Sequence, residues 1–379
     1  MAGTVSWNGL RELASFRAEK GCAISCYLGL DPSDAPTAGG VQTRVKSLLD
    51  EAAKSGGSDP SNLTHDQREA LKEDFERIRR YFEDEFVRDG AHGAVVFCAG
   101  LDNFWGPIAL SEVVPNGVKV GKEFYLAPLV PLLGRGEGAL VAAVSRERGE
   151  VYGLRGGRLV EVADRSDEQP GNDQKGRSDA RFQRHVDHLV QDHLKDVAGE
   201  VEHQVKRLGS PAVVVVCVEE MRSDIGDLLG PETQKVLAGW TQAEAHANPA
   251  ELLEAVKPVL EQSREEQERE AIERWREETG RAGRASSGWG ATLEAASDGR
   301  VEALLFQEGA DRPAFRCPGC GRVSAASGSC PLDGMKLEEA EAGIDLAVHQ
   351  TLQHGGALWA LRHHQDLEPV EGIGALLRY

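Results

Sequence analysis

QPGNDQKGRSDARFQRHVDHLVQDHL, residues 169–194, changes character along its length. Its opening, Pro170-Gly171-Asn172-Asp173-Gln174-Lys175-Gly176, has almost no apolar content and two glycines. Nothing there can bury itself, so the segment reads as an exposed, mobile loop. At Ser178, a residue type suited to an N-cap, a long helix is expected. Phe182, Val186, Leu189 and Val190 recur there at three- and four-residue steps. Arg181, Arg184, His185 and His188 fall at i, i+3, i+4 and i+7 and share one side of that helix. A polar tip on a stem with a basic edge suits a space lined with phosphate. His185, His188 and His193 read as surface residues with no carboxylate pattern to make a metal site.

Gly171, a short gap, Gln174, then the Arg181-Phe182-x-Arg184 helix is similar to the Gly-Gly-Gln loop of the class-one release factors of eukaryotes and archaea. Their bacterial relatives, and the peptidyl-tRNA hydrolases that clear stalled ribosomes, share this plan, and the chain resembles a bacterial branch related to those hydrolases and to the Pelota-like ribosome factors. Here the tripeptide itself is absent. Gly171 and Gln174 enclose Asn172-Asp173, and Lys175-Gly176-Arg177 stands before the helix. The resemblance implies a catalytic Gln174 and Gly171. Glutamine is no general base, but its amide or backbone N–H can hold a water in line with an ester carbonyl and donate to the developing oxyanion. A glycine beside it lets the backbone approach the ligand without a Cβ in the way. Lys175, Arg177, Arg181 and Arg184 are candidate RNA contacts, since such groups bind phosphate and guanidinium planes stack on unpaired bases.

At 379 residues with a net charge of −19, the chain is too long for one ordinary core and too acidic to coat nucleic acid indiscriminately. A local basic patch is still compatible with RNA contact, because screening confines each charge to about 10 Å at ~0.1 M salt. No apolar run approaches 18 residues and no basic-then-apolar leader opens the sequence, so a soluble cytoplasmic protein is expected, without membrane or DNA partners. Cys22, Cys26, Cys98 and Cys217 lie singly in apolar surroundings and read as small core residues.

The element order predicts an α/β fold in three domains. Residues 1–132 form an N-terminal α/β unit, with helices over Trp7–Glu19, Val41–Ala53 and His65–Val87. Its strands are expected over Cys22–Leu30, Gly93–Ala99 and Phe104–Leu110. Residues 133–262 begin with three short strands joined by tight turns. The long helix and the β-branched run Pro211–Val218 follow, and helices over Ser223–Leu229, Pro231–Ala238 and Pro249–Glu261 close the domain. Three strands, a helix and a parallel strand describe a ribonuclease-H-like central sandwich bearing the Gly171–Gln174 loop. Residues 263–284 read as a charged linker helix, a solvated face to which no chemistry is assigned. Residues 285–379, ending in GIGALLRY, resemble the C-terminal domain of the same release-factor family. That resemblance implies a ribosomal-protein-like α-β-α fold that binds a translational GTPase.

Cys317-Pro-Gly-Cys320-Gly has the form of a zinc-ribbon knuckle: two thiols two residues apart, with glycine permitting the tight turn. Cys330-Pro-Leu-Asp333-Gly repeats the frame with aspartate in the fourth position. Cys317, Cys320, Cys330 and Asp333 are therefore candidate ligands of a structural Zn²⁺ in an insertion spanning 315–336, since carboxylate oxygen also binds zinc. No Walker loop, dinucleotide fingerprint or Ser-His-Asp signature stands out, and Gly153–Gly157 reads as a turn between strands.

Two functions are expected. The first is a ribosome A-site factor that meets rRNA and the tRNA acceptor end and hydrolyses peptidyl-tRNA on stalled ribosomes, with a translational GTPase as partner. The alternative is a non-catalytic hibernation factor whose loop is a plug. The N-terminal unit lacks an Asn-Ile-Lys-Ser-type tetrapeptide, the family's stop-codon element, so stop-codon decoding is not expected.

Overall fold

The computed structural model describes residues 6–31, 38–55, 63–88, 90–134, 138–166, 179–244, 246–281 and 283–379. Among these residues it is a mixed α/β protein with four sheets and two compact units, Gly9–Gly134 with Glu265–Tyr379, and Thr4–Asn8 with Arg135–Arg264.

The chain opens with α1 (Trp7–Ser15), β1 (Ala23–Gly29), α2 (Ala38–Ser55) and α3 (His65–Arg80), then β2 (Gly93–Ala99), β3 (Phe104–Leu110), β4 (Gly117–Gly121) and α4 (Leu129–Gly134). The strands are antiparallel throughout, in the order β3-β2-β1-β4. Alternating residues of β1 and β2 (Ile24, Cys26, Leu28; Ala94, Val96, Cys98) meet Val45 and Leu49 of α2 and Phe75 and Ile78 of α3. The four isolated cysteines are buried as expected, and burial alone pushes the Cys26 thiol up to about 12. Helix α3 starts at a capping box, Gln67 N–H donating to Thr64 Oγ1 and Thr64 N–H to Gln67 Oε1. The expected continuous helix to Val87 instead widens into a π turn at Tyr81–Glu85, where Phe86 N–H reaches Tyr81 O. That turn seats Phe82 in the core.

The second unit holds β5 (Leu140–Val144), β6 (Gly149–Arg155), β7 (Arg158–Asp164), α5 (Asp179–Leu208), β8 (Val213–Val216), α6 (Arg222–Leu228), α7 (Pro231–Lys235) and β9 (Leu237–Thr241). The sheet order is β7-β6-β5-β8-β9, antiparallel through the β5–β6–β7 meander and parallel from β5 to β8 to β9. Gly156 and Gly157, both at positive φ (56° and 79°), make the two-residue turn between β6 and β7. Pleating divides the residues: Leu140, Ala142, Val213 and Val215 pack on Leu194, Val197, Val201 and Val205 of α5. Val141, Ala143, Val214 and Val216 pack on Leu252, Val256 and Leu260 of α8 (Pro249–Gly280). The sheet is thus covered on both faces. The helix expected over Pro231–Ala238 stops short at Lys235, and the last two residues of that range open β9. That strand pairs in parallel with β8 instead, and a five-residue segment with a central glycine takes its state from that pairing.

α8 merges the two helices expected over 249–261 and 263–283 into one, with Pro258 inside it. Beyond it lie β10 (Ala285–Ser287), α9 (Trp289–Ser297), β11 (Val301–Gln307), β12 (Ala314–Arg316), β13 (Val323–Ser324), β14 (Glu338–Ala340), α10 (Gly343–Gln353), β15 (Ala357–Leu361) and β16 (Ile373–Leu377). One sheet has the order β10-β16-β11-β15, with only the β11–β15 pair parallel. Ile272 and Trp275 of α8 pack against its Ala303, Leu305 and Leu376. Between β11 and α10 sits the small ribbon sheet β13-β12-β14. Among the described residues no helix is long and apolar enough to cross a membrane.

Candidate functional site

Gly171, Gln174, Lys175 and Arg177 lie outside the described residues, as does the expected N-cap Ser178. Arg181 and Arg184 belong to the first turns of α5. The rest of that helix is held firmly. Its apolar face is buried in the sheet, Glu202 accepts from Thr233 Oγ1 at 2.6 Å, and Arg165 pairs with Glu200 at 2.6 Å.

His193 corrects the sequence reading: it is buried, with Nε2 3.2 Å from Arg148 O. It flanks the apolar stripe of α5 against the β5–β6 turn. A Cβ on Gly149 would sit 2.6 Å from Val197 Cγ2 and 2.8 Å from His193 Cε1, so helix and turn touch closely there. Arg148 is fixed in turn by Glu150 (2.5 Å) and the Ala247 carbonyl (2.9 Å), and Tyr152 donates to Glu150 at 2.7 Å. His188 is exposed and pairs with Asp192 at 3.0 Å.

Cys317, Cys320, Cys330 and Asp333 come together, their donor atoms all within 4.8 Å of one another, a set that could hold a metal ion. The two knuckles have the same backbone. Gly321 N–H donates to Cys317 O (3.0 Å) and Gly334 N–H to Cys330 O (2.9 Å), while Cys317 N–H reaches Arg322 O and Cys330 N–H reaches Met335 O, each at 2.8 Å. Gly321 and Gly334 take φ of 77° and 74°, a conformation glycine adopts without a Cβ penalty.

Cys320 Sγ and Cys330 Sγ are 3.4 Å apart, and the Cys317 thiol donates to Asp333 Oδ2 at 3.1 Å. Zinc–sulfur bonds of ~2.3 Å set tetrahedral edges of about 3.8 Å, so the Cys320–Cys330 edge needs only slight expansion to accept the ion. Three sulfurs and one carboxylate favour zinc over calcium or magnesium. The Met335 N–H, then the Cys317 thiol, hold the Asp333 carboxyl below its ordinary range, ready as an anionic ligand.

A second polar cluster, which the sequence did not reveal, ties this ribbon to the N-terminal sheet within the same unit. Glu123 takes a two-pronged contact from the Arg316 guanidinium and one from Arg17 at 2.7 Å. Burial pushes its carboxyl up, but Arg316, with His349 and Arg17, outweighs burial and holds it below the ordinary glutamate range. Asp345 Oδ1 accepts from the N–H groups of Leu126 (2.7 Å) and Ala127 (2.9 Å), and His349 Nε2 lies 2.7 Å from Phe124 O. Burial raises the Asp345 carboxyl. Glu123 carries no spacing or motif that marks it; the only sequence signal is that Arg316 adjoins the first knuckle cysteine.

Residues 125–261 match the profile of bacterial archaeo-eukaryotic release factor family 10. That range holds the expected loop, α5 and the whole five-stranded sheet. That segment, not the whole chain, is therefore similar to a release-factor family, the resemblance already carried by the sequence. The chain is 28% identical over 407 residues to peptide chain release factor subunit 1 of Archaeoglobus fulgidus, covering 98% of this chain and 96% of that one. Among solved structures, an archaeal translation termination factor, aRF1, is similar at 16% identity over 99% of each chain, with a TM-score of 0.28. Dom34 of S. cerevisiae, a translation termination-like factor that interacts with Hbs1, is similar at 10% identity over 76% of this chain and 79% of its own, with a TM-score of 0.41.

Proposed function

We propose that this protein enters the ribosomal A site and promotes hydrolysis of peptidyl-tRNA on stalled ribosomes. The observation that carries the reading is the release-factor match over 125–261, which brackets the Gly171–Gln174 segment and the helix behind it. In this reading Gln174 orients water and stabilises the oxyanion, and Gly171 lets the backbone come close to the tRNA end. Lys175, Arg177, Arg181 and Arg184 bind RNA phosphates. The stem supports that role physically, because its buried face and the His193–Arg148 contact give the loop a fixed base. Residues 285–379 recruit a translational GTPase. Zinc at Cys317, Cys320, Cys330 and Asp333 is structural: when bound it crosslinks the two knuckles, and it supplies nothing to the ester chemistry.

Asn172-Asp173 in place of a second glycine favours one other reading, a ribosome-protecting plug, because Asp173 adds negative charge where phosphates would lie. One comparison separates the two. On purified ribosome–nascent-chain complexes, Gln174→Ala should keep ribosome binding and lose release by about 10²–10³-fold. A plug would protect ribosomes equally well with that change and would depend on Arg181 and Arg184 instead.

A further inference from the structure

We propose that the metal centre works a clasp: ion binding at the two knuckles sets Arg316 on Glu123 and so holds the ribbon shut against the edge of the N-terminal sheet. This rests on the zinc reading above and extends it to a part of the molecule that the ligands do not touch.

Arg316 ends β12, the middle strand of the ribbon, and is followed directly by the ligand Cys317. The ribbon's strands are three, two and three residues long. Ala314 and Val323 are buried and Val323 N–H donates to Ser297 of α9, which anchors the β13 side. At the knuckle end the apolar cluster is only Cys317, Cys330 and Leu337, with Phe315 against them, and so small a cluster is ordered when an ion crosslinks it. Without the ion the last residue of β12 has no fixed direction, and the planar guanidinium loses the fork geometry that Glu123 requires.

The junction itself is built to open. β4 is an edge strand of its sheet and β14 an edge strand of the ribbon. Cavities of about 320 and 850 Å³ lie between them, both bordered by Val120, Gly121, Glu339 and Ala340. Two polar contacts cross this cleft, Arg316 on Glu123 and Lys119 with Glu341, while Arg17 braces Glu123 from its own side. The deeper tie, α10 to residues 124–127 through Asp345 and His349, involves no part of the ribbon. Loss of the ion therefore frees the outer edge of β4 while the inner attachment stays.

Hydrogen exchange of the full chain, zinc-loaded and after stripping with a chelator, tests this. Stripping should speed exchange over 117–123 by about tenfold or more, leave 373–377 unchanged, and be reversed by added Zn²⁺. Arg316→Met should keep a full equivalent of zinc and yet show the same fast exchange over 117–123. Zinc that is bound and removed with no change at 117–123, or an Arg316→Met protein as protected as the wild type, overturns the clasp and leaves the metal reading standing. A chain that takes up no zinc overturns both.

Discussion

The helix α5 and the ribbon are held in place by opposite means. α5 lays Leu194, Val197, Val201 and Val205 on a sheet whose facing residues are themselves buried, so its position follows from apolar area. The ribbon buries only a few small apolar residues, Ala314, Val323 and Leu337 among them, and its knuckles are organised by backbone turns, sulfur and carboxylate. One region should therefore be indifferent to metal and sensitive to cavities, and the other the reverse.

The largest effect expected is on the stem. Leu194→Ala, at a fully packed position, should cost about 2–5 kcal/mol in chemical denaturation while leaving zinc content unchanged. A loss of zinc alongside would break the comparison. Gly149→Ala comes next, at about 1–3 kcal/mol, because the new methyl must push Val197 and His193 off the β5–β6 turn. An unchanged midpoint there would mean that the turn does not brace the helix.

Acid should act on both regions, on the stem through Glu200 and Glu202, which Arg165 and Thr233 hold below the ordinary glutamate range, and on the ribbon's junction through Glu123. The Glu123 carboxyl is held below its ordinary 4.5, so its stabilisation is complete above that value and is lost as pH falls through the lower folded value. Asp345 works in the opposite sense: burial raises its carboxyl above the ordinary 3.8, and the favourable contribution is lost as pH rises through the folded value. Wild type should therefore lose more stability below pH 4.5 than Glu123→Gln does, in thermal melts across that range. Parallel pH profiles for the two proteins would remove Glu123 from the account.

The contrast also governs what the sequence made legible. Apolar runs such as AISCYLG and VVVV announced β1 and β8 because strands buried on both faces have no polar alternation to blur them. The knuckles were legible because metal-ligand spacing is local: four residues fix each turn. What depends on partners distant in sequence was not. The antiparallel pairing of β1 with β4, the strand state of β9 and the burial of His193 against Arg148 are decided by tertiary contact. Glu123 is the extreme case, since its partners Arg17 and Arg316 stand 106 and 193 positions away. The loop residues Gly171 and Gln174 were read from resemblance alone, and they lie outside the described residues.

The functional reading is tested most directly by single-turnover release of nascent peptide from stalled ribosome complexes, with the zinc-loaded wild-type protein in excess. The account predicts that the ester bond to tRNA is cleaved and free peptide accumulates to the level of occupied ribosomes. Peptide that stays wholly on tRNA, while the protein is bound, would contradict it.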